Sequence, residues 1–206
     1  MKQAIAIFYC EVRWALFQLW ENSHIASRKF ALRIGAGVEA PSLVSEELFE
    51  EERLLRRLLR GAPWWTLGHS RLGLCAVEQA IAAVGKKDPR LLQTIRLSAT
   101  AVDTLLKGDQ RPRRAFAEST YMRAMISFFG AKYEEAKPQF LELATESLSS
   151  QLTLSIHYRS LEYGSACALA CGDKVTAAEL LERIPAAHRT AEMESALKYA
   201  AFPSEQ

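Results

Sequence analysis

Apolar residues along this chain recur mainly at intervals of three and four, the spacing that gathers side chains on one face of an α-helix. The strongest pattern of this kind covers residues 115–148 and is divided by Gly130. No stretch of useful length shows the alternation of apolar and polar residues that is typical of β-strands. The pattern therefore predicts an all-α chain whose helices end at glycine and proline residues.

Residues 115–148 predict two amphipathic helices that fold back on each other at Gly130. The apolar face of the first helix contains Phe116, Tyr121, Met125, Phe128 and Phe129. The apolar face of the second contains Tyr133, Ala136, Phe140 and Leu143. We expect Gly130 to adopt a left-handed conformation at the end of the first helix, where a Cβ atom is unfavourable. We expect Ala136 to lie in the tight contact between the two helices.

Three turns of related sequence predict an internal repeat. They are Gly85-Lys-Lys-Asp88, Gly130-Ala-Lys-Tyr133 and Gly172-Asp-Lys-Val175. Their glycines lie 45 and then 42 residues apart. Antiparallel helix pairs that recur at such an interval are typical of an α-solenoid.

One of these segments resembles a known family of helical repeats. The motif Gly130-x-x-Tyr133-Glu-Glu-Ala136-x-x-x-Phe140 resembles the second half of a tetratricopeptide repeat, in which these residue types follow in the same order. Further partial matches are Gly172, Ala177 and Leu181, and the segment Trp64-x-x-Leu67-Gly68. The interval is longer than the ~34 residues usual for the family. A non-repeating helical bundle therefore remains the alternative architecture.

The resemblance implies a short solenoid of stacked antiparallel helix pairs over residues 63–206, closed by a C-terminal capping helix. Residues 1–62 would supply N-terminal helices that pack on the array or cap it. Proteins of this family hold a partner peptide or helix in a concave groove, lined mainly by the first helix of each pair. The residues that would line it here are Tyr121, Arg123, His157, Tyr158 and Tyr163. The resemblance thus implies a protein–protein interaction or scaffold module.

The most apolar stretch of the chain is at its N-terminus, over residues 4–20. It is a little short of the ~20 residues of a membrane span, and Glu11 and Arg13 lie near its middle. Glu11, Gln18 and Asn22 form one narrow polar stripe on an otherwise apolar helix. We therefore predict a largely buried helix at the edge of the array or in a homo-oligomer, within a cytoplasmic protein. Peripheral membrane attachment through residues 4–20 is the alternative.

Composition sets limits on function. Because 26 basic residues nearly balance 24 acidic ones, the net charge is only +2, which gives no general attraction to nucleic acid. The four cysteines do not form a Cys-x-x-Cys motif and predict small buried thiols: Cys10, Cys75, Cys167 and Cys171.

The search for catalytic motifs finds no Gly-rich phosphate loop, no His-Glu-x-x-His and no serine elbow. We predict that the chain is not an enzyme and binds neither a cofactor nor a metal. An enzyme with an unrecognised helical active site is one remaining alternative.

Two arginine clusters support another alternative, a helical regulatory protein that contacts nucleic acid. They contain Arg53, Arg56, Arg57 and Arg60 in one segment, and Arg111, Arg113 and Arg114 in the other. Arginines on one side of a helix can follow phosphates. In the first segment, however, five glutamates precede the arginines, and acid first and base last matches the helix dipole. The sequence therefore favours a protein or peptide partner over nucleic acid.

Overall fold

A computed structural model describes residues 2–33, 40–83, 88–106, 113–145 and 151–201. Within these ranges the chain forms nine α-helices and a short 3-10 helix at Ala186–His188, and no β-strand occurs. The α-helices are α1 (Lys2–Arg33), α2 (Ala40–Gly61), α3 (Thr66–Ala82), α4 (Pro89–Leu106), α5 (Arg113–Phe129), α6 (Tyr133–Thr145), α7 (Gln151–Ala170), α8 (Lys174–Glu182) and α9 (Ala191–Ala201). Helices that follow one another pack as adjacent pairs. The predicted all-α architecture is confirmed.

The chain divides into two compact units, Met1–Thr94 and Ile95–Gln206, whose boundary falls inside α4. The division predicted at residue 62 lies within the first unit. In this unit α2 packs against both α1 and α3. The buried core side chains are Cys10, Trp14, Leu55, Leu58, Leu59, Ala62, Trp65 and Leu72. This core explains the close spacing of leucines in α2, because Leu55, Leu58 and Leu59 all face its neighbours.

The helix α1 packs on α2 through one face only. Cys10 and Trp14 are buried on that face, and the rings of Trp14 and Phe17 stack with their centroids 5.7 Å apart. Six large apolar side chains on the same helix are exposed in the single chain. The predicted burial is therefore seen on one face, and burial of the other face against another subunit stays a prediction. In the part of the chain that the structure describes, no helix is long and apolar enough to cross a bilayer.

In the second unit each helix from α5 to α9 packs against the next one, and α5 also contacts α7. An aromatic cluster joins the first three of these helices. The ring of Phe140 on α6 lies 6.3 Å from that of Tyr121 and 6.0 Å from that of Tyr163, measured between centroids. Ala136 has no exposed surface, which agrees with its predicted place between helices. Small and aromatic residues thus fill the space between stacked helices.

The turn between α5 and α6 differs from the prediction. The backbone of Gly130 does not have a positive φ; the left-handed residue is Ala131, with φ of 57°. The N–H of Gly130 still donates to the carbonyl oxygen of Ile126 as in a helix. The chain therefore reverses one residue later than expected, and the prediction for Gly130 is wrong.

Candidate functional site

The five residues predicted to bind a partner all lie in the second unit, where they occupy three separate places. Two of them belong to the aromatic cluster. Tyr121 is 1% exposed and packs edge-on against Phe140. Tyr163 is half-buried, and its ring centroid lies 4.9 Å from that of Phe128. These two tyrosines pack α5, α6 and α7 together.

The third residue, Arg123, is held by neighbouring polar groups. Its guanidinium forms an ion pair with Asp103 and donates a hydrogen bond to Thr120 Oγ1 at 3.0 Å. A cavity of about 290 Å³ beside this pair is also lined by Gln139. Both ionic side chains remain more than one third exposed. Arg123 thus offers a polar contact surface, although its charge is already matched by Asp103.

His157 and Tyr158 lie near the C-terminal part of the second unit. The ring of Tyr158 stacks on His188 with centroids 5.4 Å apart, and His157 lies 5.8 Å from Tyr158. Burial lowers the pKa of His157 and so favours its neutral form. The structure therefore does not gather the five predicted residues into one surface, and their role in binding a partner stays a prediction.

A larger candidate site lies in the first unit. It is a groove of about 820 Å³ between α2, the end of α3 and the start of α4, and we call it the first-unit groove. Its lining residues are Leu48, Phe49, Glu52, Arg53, Arg56, Gln79, Ala82, Ala83, Asp88, Arg90, Leu91 and Thr94. The volume lies in the range of pockets that enclose a small ligand or a few side chains of a peptide.

A hydrogen-bond network connects the three helices around this groove. Arg56 donates to Glu52 Oε1 at 2.6 Å and to Thr94 Oγ1 at 2.9 Å. The side-chain amide of Gln79 donates to Glu52 Oε2 at 2.9 Å and to the carbonyl oxygen of Leu48 at 3.2 Å. Glu52 thereby joins α2 to α3, and Arg56 joins α2 to α4. The network fixes the polar side of the groove before any ligand arrives.

The start of α4 is capped at the edge of the groove. The backbone N–H of Arg90 donates to Asp88 Oδ1 at 2.9 Å, and this hydrogen bond lowers the pKa of that carboxyl. Pro89 is the first residue of the helix, where its missing N–H would have no intrahelical partner. Asp88 is therefore ionised at neutral pH, and the cap fixes the position of Arg90 and Leu91.

One polar atom inside the groove is unsatisfied. Gln79 is only 6% exposed, and its Oε1 atom has no hydrogen-bond partner among the described residues. The hydrogen bonds from Nε2 to Glu52 and to Leu48 fix the orientation of the amide, because only the nitrogen can donate to these oxygens. A buried acceptor without a partner is unfavourable. This atom has almost no solvent-accessible surface, so an outside donor could reach it only after the side chain of Gln79 moves.

The remaining lining separates into an apolar part and a basic edge. Phe49 is 60% exposed, and Leu91 lies across the groove on α4. The charged lining residues are three arginines and two carboxylates: Arg53, Arg56, Arg90, Glu52 and Asp88. The groove thus combines apolar contact area, one buried acceptor and a small excess of positive charge.

Reactive groups near the groove are not arranged for covalent chemistry. Cys75 is buried and its thiol lies 3.2 Å from the carbonyl oxygen of Leu48. Burial raises the pKa of this thiol, and the charge of Glu51 raises it further, so the thiol is protonated at neutral pH. Across the described ranges, no three His, Cys, Asp or Glu side chains are grouped to hold a metal ion. The geometry is suited to binding.

The residues behind the tetratricopeptide resemblance occupy matching places in the second unit. Ala136 on α6 and Ala177 on α8 are fully buried, and so are Phe140 and Leu181 one turn further on. Comparison of the chain with protein-family models, with curated proteins and with solved structures gives no match. Membership of the tetratricopeptide family therefore stays a prediction.

Proposed function

We propose that this chain is a protein–protein interaction module whose first-unit groove binds a segment of a partner protein. The observation that carries the proposal is the groove of about 820 Å³ with the exposed ring of Phe49 on one side and Leu91 on α4 as a further apolar lining residue. An apolar side chain of a peptide can cover the exposed ring of Phe49 while the peptide backbone follows the groove. The network that already orders Arg56 and Glu52 lowers the ordering cost of binding.

The lining indicates what the partner segment contains. An apolar anchor residue fits between Phe49 and Leu91. A carboxylate can compete for Arg53 or Arg90, which are paired with Glu50 and Asp88 in the unbound chain. Both arginines are well exposed, so these ion pairs add specificity more than affinity. We expect most of the binding energy to come from the apolar anchor.

Selection from a displayed library of random peptides tests this proposal. We expect enriched peptides to carry a large apolar residue next to an acidic one. Phe49→Ala should weaken their binding by about tenfold or more, measured by fluorescence polarisation, because it removes the exposed ring beside the anchor. Phe116→Ala is the matched control, since Phe116 is an exposed phenylalanine in the second unit. Equal affinity of the wild type and Phe49→Ala would overturn the proposal.

A DNA-binding assay with the same purified protein tests the nucleic-acid alternative. Arg53 and Arg56 are already paired with Glu50 and Glu52, which reduces the charge available to phosphates. The side chains of the cluster at residues 111–114 lie outside those that the structure describes. Two results together would favour nucleic acid as the partner. The affinity for a random DNA duplex would fall steeply as the salt concentration rises, and Arg57→Ala and Arg60→Ala would abolish the binding. The cytoplasmic location stays a prediction.

A further inference from the structure

The N-terminal helix α1 is apolar on two faces that point in opposite directions. One face is packed on α2 through Cys10 and Trp14, with Ala6, Ile7 and Phe17 beside them. The other face, which we call the α1 stripe, is exposed to solvent. It consists of Ile5 (62% exposed), Phe8 (67%), Tyr9 (57%), Val12 (40%), Leu16 (56%) and Leu19 (65%). A helix of a soluble chain with two apolar faces has one face without a partner.

The α1 stripe follows a seven-residue repeat. Ile5, Val12 and Leu19 are spaced by seven, and so are Tyr9 and Leu16. Phe8 precedes Ala15 at the same interval. A helix that keeps its apolar side chains at a period of seven matches a partner helix wound around it in a left-handed supercoil. The spacing therefore indicates a helix as the occupant of this face.

The exposed area is of the size that a stable interface needs. The exposed fractions of the six stripe residues, multiplied by ordinary side-chain areas, correspond to on the order of 700 Å² of apolar surface. Each partner in a standard interface contributes ~800 Å². The largest apolar patch on a typical monomer is about 300–600 Å². Two equal copies of the α1 stripe would cover one another around a two-fold axis.

We propose that the α1 stripe is a homodimer interface, in which α1 of one copy pairs in parallel with α1 of a second copy. In a heptad that starts with Ile5, the first positions are Ile5, Val12 and Leu19. Two of these three, Ile5 and Val12, are β-branched, and β-branched residues at this position favour two parallel strands. The α1 stripe and the first-unit groove have no residue in common.

The charges beside the α1 stripe support the parallel arrangement. Glu11 is exposed on one flank and Arg13 on the other. In a parallel pair the acidic flank of each helix faces the basic flank of the second copy, with Glu11 beside the seam and Arg13 further from it. In an antiparallel pair centred on Val12, like flanks meet and Arg13 lies near Arg13 of the second copy. The parallel pair is therefore the electrostatically favoured one.

Sedimentation velocity of the full chain, from about 1 to about 100 µM, tests whether it dimerises. We expect a concentration-dependent dimer, and Leu16→Glu should raise its dissociation constant by about tenfold or more because it places a charge in the seam. Leu97→Glu is the matched control, since Leu97 is a leucine of similar exposure on α4 and should leave the dimer intact. Circular dichroism checks that both variants keep their helix content.

Disulfide trapping tests the orientation. In a parallel pair Ile5 faces Ile5 of the second copy within the range that a disulfide spans. Cys10, Cys75 and Cys167 are buried and Cys171 is partly exposed, so Cys171→Ser serves as the background. In this background Ile5→Cys should give an oxidised dimer, whereas Cys171→Ser alone should not. Trapping that requires a mixture of Ile5→Cys and Leu19→Cys would overturn the parallel arrangement.

Other outcomes would remove the proposal altogether. A wild type that stays monomeric at 100 µM, or a dimer that Leu16→Glu does not weaken, would show that this face does not bind a second copy. A monomer that sediments with vesicles of phosphatidylcholine and phosphatidylserine, and loses this binding with Leu16→Glu, would identify a lipid surface as the occupant instead.

Discussion

Ala131 and Gly172 occupy the same position in the two turns of the second unit, and both have a left-handed backbone, with φ of 57° and 80°. In each turn the next residue donates its N–H back to a carbonyl of the helix. Lys132 donates to Ser127, and Asp173 donates to Ala168, at 2.9 Å and 2.8 Å. This hydrogen-bond pattern is that of a Schellman motif. The two turns are thus equivalent at an offset of 41 residues, counted from Ala131 to Gly172.

The equivalence predicts that Ala131→Gly stabilises the chain. A residue with a Cβ atom is disfavoured by about 1–2 kcal/mol in the left-handed region, and glycine is not. Since Ala131 is exposed, the substitution removes no buried contact. We expect a gain of about 1 kcal/mol in the free energy of unfolding, measured by urea denaturation.

Gly172→Ala is the reverse substitution, from glycine to alanine, at the equivalent position. A Cβ atom at Gly172 would meet no other atom within 4 Å, so any loss of stability comes from the backbone conformation. We expect a loss of about 1 kcal/mol. A gain in stability for Ala131→Gly together with a loss for Gly172→Ala supports the equivalence. Stability changes of the same sign would contradict it.

The sequence predicts a turn at this place but assigns the left-handed conformation to the wrong residue. Glycine has the strongest local preference for that conformation, and Gly130 directly precedes Ala131. The position is instead set by tertiary packing, because the ring of Phe128 contacts Tyr133 and Tyr163, with centroids 5.7 Å and 4.9 Å away. Local preference carries no information about these contacts.

A second prediction concerns the close contact of Gly68 with Trp65. A Cβ atom on Gly68 would lie 2.1 Å from Cε3 of Trp65, whose side chain is 2% exposed. The indole cannot move away without disturbing the core of the first unit. We expect Gly68→Ala to lower the free energy of unfolding by about 1–3 kcal/mol.

Gly61→Ala is the control for this substitution. Gly61 is the last residue of α2, and nothing lies within 4 Å of a Cβ atom placed there. We expect its unfolding free energy to change little. A loss for Gly61→Ala as large as that for Gly68→Ala would show that the contact with Trp65 does not determine the effect, because alanine is favoured over glycine within a helix.

The third prediction tests the contact between α5 and α6. Ala136 has no exposed surface, and a larger side chain there overpacks the space between the helices. Ala136→Leu should lower the free energy of unfolding by about 1–3 kcal/mol. Ala170→Leu is the control, because Ala170 is exposed at the end of α7. Wild-type stability of Ala136→Leu would contradict the paired packing of this segment.

The first-unit groove could be predicted from the sequence only in part. The acidic and basic residues of α2, including Glu52 and Arg56, are explained by the helix dipole and indicate no site on their own. The groove depends on the meeting of α2 and α4. Arg56 and Thr94 are 38 residues apart in the chain and lie at hydrogen-bond distance from each other. Helix spacing predicts which residues share a face, and it does not predict which faces meet.

The fourth prediction concerns the charge on Asp173, which caps α8. Asp173 Oδ1 accepts a hydrogen bond from the N–H of Thr176, and Oδ2 lies 3.1 Å from Lys137 Nζ on α6. The hydrogen bonds with Thr176, followed by the contact with Lys137, lower the pKa of this carboxyl in the folded chain. A carboxyl with a lowered pKa stabilises the fold above its unfolded pKa of about 3.9 and loses this effect as the pH falls.

Asp173→Asn separates the charge from the cap, because asparagine caps helices about as well as aspartate. We expect the variant to melt a few degrees below the wild type at neutral pH, and the difference to shrink as the pH falls below the unfolded pKa of about 3.9, because the stabilising charge is then progressively lost. Lys137→Met should give a similar loss at neutral pH, and the double variant should lose less than the two single losses combined. A melting difference that stays the same from pH 7 to pH 3 would show that the charge of Asp173 does not stabilise the junction between α6 and α8.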